Sequence, residues 1–172
     1  MKYLLDQISS ERLNFQRLQQ EDFNVWLPFH QDENTSKHWS GLSKNPTEAC
    51  QVDFDRTFYR YENNLGGKMA LIKKATNELV GLCGLLVQEI NQEKELEIAY
   101  SLLPKFWGLG YATEAAKQCK IYAREKNLSK SVISIISKTN IPSQKVALQL
   151  GMTIDFDTVY ANNPVSIYRV KL

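Results

Sequence analysis

Apolar positions along this chain switch between a period of two and a period of 3.6, and the switches mark out its elements. Residues 12–19, RLNFQRLQ, alternate and predict a first strand. Glu21 to Phe29 predicts a short helix, whereas residues 30–45 are polar with no clear period and read as loop. Thr47, just after Pro46, stands where the N-cap of a helix reaching about Tyr61 would be. Residues 63–67, NNLGG, break any periodic element. The apolar runs 68–74 and 79–90 flank Ala75 to Glu78 and predict a hairpin, and Asn91 and Gln92 then turn the chain into a strand over 94–103. Ala112, Ala115, Ala116, Cys119, Tyr122 and Ala123 fall at helical spacing, so a helix to about Lys126 presents a face of small residues suited to close packing on a sheet. A strand over 131–137, a helix from Ser143 to Leu150, and strands near 153–160 and 165–171 complete the order. Together they predict an α/β (α+β) fold: a mixed, strongly bent sheet of about seven strands flanked by helices. Residues 1–172 read as a single domain, with no repeat, low-complexity tract or linker.

Composition narrows the classes. At 172 residues, 43% hydrophobic and 23% charged, the chain matches an ordinary globular domain with a sizeable core. A formal charge of +2 is too small to argue for a nucleic-acid partner. No stretch approaches the ~20 apolar residues of a membrane span, and the N-terminus, MKYLLDQISS, is too short in apolar residues for a secretory signal. Three scattered cysteines, Cys50, Cys83 and Cys119, form neither a disulfide framework nor a zinc-ligand spacing. The expectation is a reduced, cytoplasmic protein without a metal, as monomer or homodimer.

The stretch with chemical content is 96–116, LEIAYSLLPKFWGLGYATEAA. A strand runs into a glycine turn, and a helix begins directly after it. The first N–H groups of a helix lack intrahelical partners and the helix dipole favours negative charge there; glycines let a phosphate come close. The P-loop requires Gly-Lys-Ser/Thr, and here Tyr111 and Ala112 follow Gly110. The dinucleotide fingerprint requires a third glycine and an acid at the end of the next strand; here stand Thr113 and Lys138.

The segment FWGLGYATEA resembles the pyrophosphate loop of acetyl-CoA-dependent N-acetyltransferases of the GNAT superfamily. Gly110 and Ala112 match the superfamily pattern, and Trp107 matches the variant found in its ribosomal-protein N-terminal acetyltransferase (RimJ/RimL) branch. A second motif, 139–152 TNIPSQKVALQLGM, resembles the same branch at Asn140, Ser143, Val146, Leu150, Gly151 and Met152. The two motifs cover the C-terminal half; the N-terminal half matches only in layout.

The resemblance implies a GNAT fold with acetyl-CoA as co-substrate. Its pyrophosphate would lie on Trp107, Gly108, Leu109, Gly110, Tyr111 and Ala112. Leu102 and the main chain of Tyr100 and Ser101 would pair with the pantetheine amides as an added strand does. Asn140 and Ser143 would complete the arm's site. The implied activity is direct transfer of acetyl to a primary amine, foremost a protein N-terminal α-amine. The alternatives are a polyamine or antibiotic acetyltransferase and a catalytically silent acyl-CoA-binding module.

Such a transfer needs a base for the amine and a proton for the departing thiolate. Glu97 is the candidate base, because strand alternation puts it on one face with Ala99 and Ser101 near the strand end; Glu95 is the fallback. Ser143 is the candidate thiolate partner, since the position where many superfamily members carry a tyrosine is Ala147. N-capping is the competing role of Ser143. Trp26, Phe29, Trp39 and Tyr59 are candidates for an acceptor pocket or for core, and His30 and His38 have no ligand spacing.

Overall fold

The computed structural model describes residues 2–172. The elements run β1 (Leu13–Gln16), α1 (Phe23–Gln31), α2 (Glu33–Ser36), α3 (Pro46–Glu62), β2 (Gly66–Lys73), β3 (Leu79–Ile90), β4 (Glu93–Leu102), α4 (Tyr111–Glu125), β5 (Ser131–Ser137), α5 (Ile141–Gln149), β6 (Thr153–Tyr160) and β7 (Asn163–Lys171). The seven strands form one sheet in the order β1-β2-β3-β4-β5-β7-β6, antiparallel except for the central β4–β5 pair. The tight turns carry the positive φ that two-residue hairpins demand: Asn91 and Gln92 between β3 and β4, Ala161 and Asn162 between β6 and β7.

Four expectations need correction. The cap of α3 is Asn45, whose Oδ1 accepts from the N–H groups of Thr47 and Glu48, and Pro46 takes the first helical position, where its missing N–H costs nothing. Residues 30–45 are not all loop. Helix α1 continues to Gln31, and Asp32 caps the single turn of α2 by accepting from Asn34 N–H. The first strand is shorter than its alternating run, Leu13–Gln16 only. Helix α5 begins at Ile141 rather than Ser143.

Helices cover both faces of the sheet. Helix α4 lays Ala115, Ala116, Cys119 and Ala123, all fully buried, on β3 and β4, and Cys119 Sγ comes 3.6 Å from Cys83 Sγ of β3. Helices α1 and α3 cover the opposite face. There Asp53 of α3 accepts from Lys68 Nζ of β2 at 2.7 Å and from the indole of the buried Trp26 at 3.2 Å, with His30 Nε2 at 3.5 Å. Trp26 is therefore core, stacked on Phe29 at 4.4 Å, and Tyr59 points into solvent. Register assigns the faces of β4: Lys68 stands opposite Gly84 and Gly84 opposite Ala99, so Glu97, Ala99 and Ser101 face α1 and α3. Cys83 stands opposite Tyr100, so Tyr100 faces α4.

Burial by itself raises the Asp53 carboxyl, but the Lys68 charge and the His30 contact outweigh it and hold the group well below the usual carboxylate range. A folded-state value below the unfolded one contributes stability above about pH 4 that is lost as pH falls further. Replacing Asp53 by Asn leaves the Lys68 ammonium without its anion, and we expect a loss of about 3 kcal/mol at pH 7 in urea denaturation. The gap between wild type and Asp53→Asn closes as the pH drops below about 4; a gap constant from pH 7 to 3 contradicts this account.

Candidate active site

The parallel pairing of β4 with β5 consists of one register position, Glu97 opposite Ile133. Leu103 N–H bonds Val80 O, so odd-numbered β4 residues bond β3 and even-numbered ones turn their main chain toward β5. In an unbroken parallel ladder the Ile135 N–H would bond the Ile98 carbonyl. Here Ser134 Oγ donates to Ile98 O at 2.8 Å instead. Past this point the strands part. The main chain of Tyr100 and the N–H of Leu102 face the gap, whereas that of Ser101 turns to β3, which removes Ser101 from the expected pantetheine edge. The Leu102 carbonyl accepts from Trp107 Nε1 at 2.8 Å.

Glu97 lies at the vertex of the gap, 7% exposed. Gln88 Nε2 donates to its Oε2 at 2.6 Å. Burial pushes the Glu97 carboxyl above its usual range; the Gln88 amide, the Arg60 charge, the Ile135 N–H and Lys68 offset part of that. Glu95 is excluded as the base by its own partner: Arg169 grips it with both Nη atoms, at 2.6 and 2.9 Å.

On the other face, Tyr100 OH donates to the Ser143 carbonyl at 2.8 Å and ties β4 to the first turn of α5. Asn140 caps that helix, its Oδ1 accepting the Ser143 N–H at 3.2 Å. Capping is thus the task of Asn140, not Ser143. The half-buried Ser143 hydroxyl makes no hydrogen bond among the described residues.

The glycine turn follows β4. Gly108 and Gly110 have φ of +75° and +81°, a backbone that side chains rarely adopt. Gly110 is the N-cap of α4, and the N–H groups of residues 108–112 have no main-chain or side-chain partner among the described residues. Two features were not evident from sequence. Phe106, not Trp107, packs beneath the helix, edge-on to Tyr111 at 6.1 Å, while Trp107 is 45% exposed at the rim of the gap. Arg12 and Glu114 brace the turn from behind. Glu114 accepts from Ser10 Oγ and from Arg12 N and Nε, Arg12 Nη1 donates to Leu109 O at 3.0 Å, and the guanidinium lies over the Tyr111 ring.

The face holding Glu97 is bounded by residues 37–40, between α2 and α3. His38 Nδ1 is 2.9 Å from Thr139 Oγ1, Ser40 N and Oγ both donate to Asn163 Oδ1, and Trp39 meets Tyr160 edge-on. Trp39, of the four aromatic candidates, is the one that stands at this wall. Burial and the neighbouring Lys37 charge lower the His38 pKa.

The arrangement is a gap through a sheet, with unpartnered N–H groups at its mouth and a buried carboxyl at its vertex. Residues 12–153 match the family model described as Acetyltransferase (GNAT) domain. The chain is 28% identical over 141 residues to protein YkkB of Bacillus subtilis (strain 168), covering 81% of this chain and 80% of that one. It is 26% identical over 153 residues to p20 of Bacillus licheniformis, described as an uncharacterized N-acetyltransferase, with 86% and 82% covered. Among solved structures, an acetyltransferase from Agrobacterium tumefaciens str. C58 superposes with a TM-score of 0.82 at 23% identity over 100% of this chain and 98% of that one. The ribosomal L7/L12 α-N-protein acetyltransferase RimL superposes at 0.78 and 14% identity (96% and 93% covered). The microcin C7 self-immunity acetyltransferase MccE, solved with acetyl-CoA and AMP, superposes at 0.74 and 14% (94% and 93%). The fold is the GNAT fold, and with a family model matched over most of its length the chain belongs to the GNAT acetyltransferases.

Proposed function

We propose that this acetyltransferase uses acetyl-CoA to acetylate a primary amine directly, foremost a protein N-terminal α-amine, with residues 1–172 acting as one domain in the cytoplasm. The observation that carries the reading is the gap between β4 and β5, with Glu97 on one face and Ser143 on the other. The pyrophosphate is assigned to the free N–H groups of residues 108–112. The pantetheine amides are assigned to the exposed main chain of Tyr100 and Leu102 and to Asn140. An acyl group carried to the vertex stands between the faces. The amine approaches from the side of α1, α3 and residues 37–40 and loses a proton to Glu97. It attacks the thioester carbonyl, forming the C–N bond, and the C–S bond breaks with the electron pair leaving on sulfur. The Ser143 hydroxyl gives its proton to that thiolate, and the proton the nitrogen sheds as the amide forms restores the hydroxyl. The α-amine preference rests on the RimJ/RimL-like motifs and on the likeness to RimL, which acts on ribosomal L7/L12. Acetyl-CoA turnover against an N-terminal peptide panel, with spermidine and aminoglycosides as competing acceptors, tests it; turnover only with small amines overturns the α-amine reading.

Gly110→Val should weaken CoA binding at least tenfold in calorimetry, because the backbone there is left-handed and any side chain strains it. The added Cβ itself meets nothing closer than Arg12 at 3.4 Å, so the loss comes from the turn and not from crowding. Unchanged affinity contradicts the placement of the pyrophosphate.

Glu97→Gln should lower turnover ~10²–10⁴-fold while acetyl-CoA still binds. A buried acid whose folded pKa is raised costs stability as pH rises through the ordinary carboxylate range to the raised value. The variant lacks that cost, so at pH 8 it should melt no earlier than wild type even as turnover collapses. A variant that is cold-sensitive and unfolded instead marks Glu97 as a strut alone.

Ser143→Ala should leave stability within about 0.5 kcal/mol, since its hydroxyl bonds nothing, whereas Asn140→Ala loses the cap and costs about 1 kcal/mol. Its turnover should fall, most steeply with acyl donors whose thiol is a poor leaving group. Wild-type turnover across those donors removes Ser143 from the reaction.

A further inference from the structure

A polar cluster lies beside Glu97 that neither motif contains. Gln88 of β3 reaches the Glu97 carboxyl with its amide nitrogen, while its amide oxygen, Oε1, faces Arg60 Nη2 of α3 at 3.0 Å and Tyr160 OH of β6 at 3.4 Å. Arg60 also spends Nη1 on the carbonyls of Leu65 and Val87, which holds its guanidinium in place. A guanidinium can only donate, so the oxygen of Gln88 must face Arg60 and its nitrogen must face Glu97. The orientation of this amide is therefore fixed from two other elements. The contact from Gln88 to Glu97 can only be N–H to oxygen, a bond that strengthens when the carboxyl is ionised.

We propose that Gln88, locked by Arg60 and Tyr160, is the positioning residue that keeps Glu97 at the vertex of the gap as a proton-accepting carboxylate. The proposal rests on the reading of Glu97 as the base. Burial works against the carboxylate, and the groups facing Glu97 decide how much of that is recovered. These are Gln88 on β3, the Ile135 N–H on β5, Arg60 on α3 and Lys68 on β2, with Tyr100 on its own strand and Tyr160 on β6 nearby. Without the Gln88 amide a buried oxygen loses its donor. The carboxyl then holds its proton to higher pH, and the base is available over a narrower range.

The test is Gln88→Leu, of similar size, followed by kcat/KM from pH 5 to 9 and by carbon-13 NMR titration of the Glu97 carboxyl. We expect the acidic limb of the profile and the carboxyl titration to move upward together by about one to two pH units. Above the displaced limb the rate returns to within a few-fold of wild type, which a distorted fold would not do. Tyr160→Phe removes only one of the two donors to Gln88, so it gives a smaller shift of the same sign and stands in if Gln88→Leu does not fold. An unmoved titration in both variants overturns the proposal. Failure of the underlying reading looks different: the carboxyl titration moves while Glu97→Gln retains wild-type turnover.

Discussion

The site depends on one broken hydrogen-bond ladder. Two parallel strands in the middle of a sheet would ordinarily stay paired along their length, because each unpaired buried N–H or C=O carries a cost of ~1–3 kcal/mol. Here the pairing stops after Glu97 and Ile133, and the chain supplies substitutes where it stops. Ser134 Oγ donates to the Ile98 carbonyl, and farther out the Trp107 indole donates to the Leu102 carbonyl. The gap is thus a finished surface whose remaining main-chain groups point at whatever enters it.

The same constraint explains why the N-terminal segment and the glycine turn are tied together. A turn with two left-handed glycines and unpartnered N–H groups has little to hold its shape by itself. Arg12, near the N-terminus, and Glu114, in the first turn of α4, supply that hold through the Leu109 carbonyl, the Ser10 hydroxyl and the Tyr111 ring. Burial raises the Glu114 carboxyl, but Ser10 and Arg12 more than offset this and keep it below its usual range. Its charge near the start of α4 faces backward, toward Arg12, leaving the forward side of the turn to main-chain donors. Position and charge are separated, so the brace does not compete with an anion for the N–H groups.

Sequence periodicity was enough for the order of strands and long helices, because each long element carries its own signal: the continuous apolar run of β3, the alternation of β4, the small-residue face of α4. The glycine turn was legible for a local reason as well, since Gly108 and Gly110 are forced by backbone conformation. What could not be read were contacts between distant segments. The capping role passed from Ser143 to Asn140 because the helix begins two residues earlier than its apolar pattern suggests, at Ile141-Pro142. Glu95 and Glu97 look equivalent in sequence, and only Arg169 on β7 and Gln88 on β3 tell them apart. Residues 37–40 lack a period because Ser40, Trp39 and His38 are each held by a residue at least a hundred positions away.

Two carboxylates on the α3 side of the sheet, Asp53 and Glu97, show how environment divides labour between similar groups. Asp53 and Glu97 are both surrounded by protein, and burial acts on both in the same direction. Asp53 meets a lysine directly at 2.7 Å, so its charge is neutralised at contact and its proton affinity falls. Glu97 meets only an amide, with Arg60 held off behind Gln88, so its proton affinity stays high. A carboxylate clamped to a cation is a good structural anchor and a poor base. One supported by a neutral donor costs stability at neutral pH, yet it can still take a proton from an amine. The interposed Gln88 is what separates these outcomes, because direct contact between Arg60 and Glu97 would convert the second kind of site into the first.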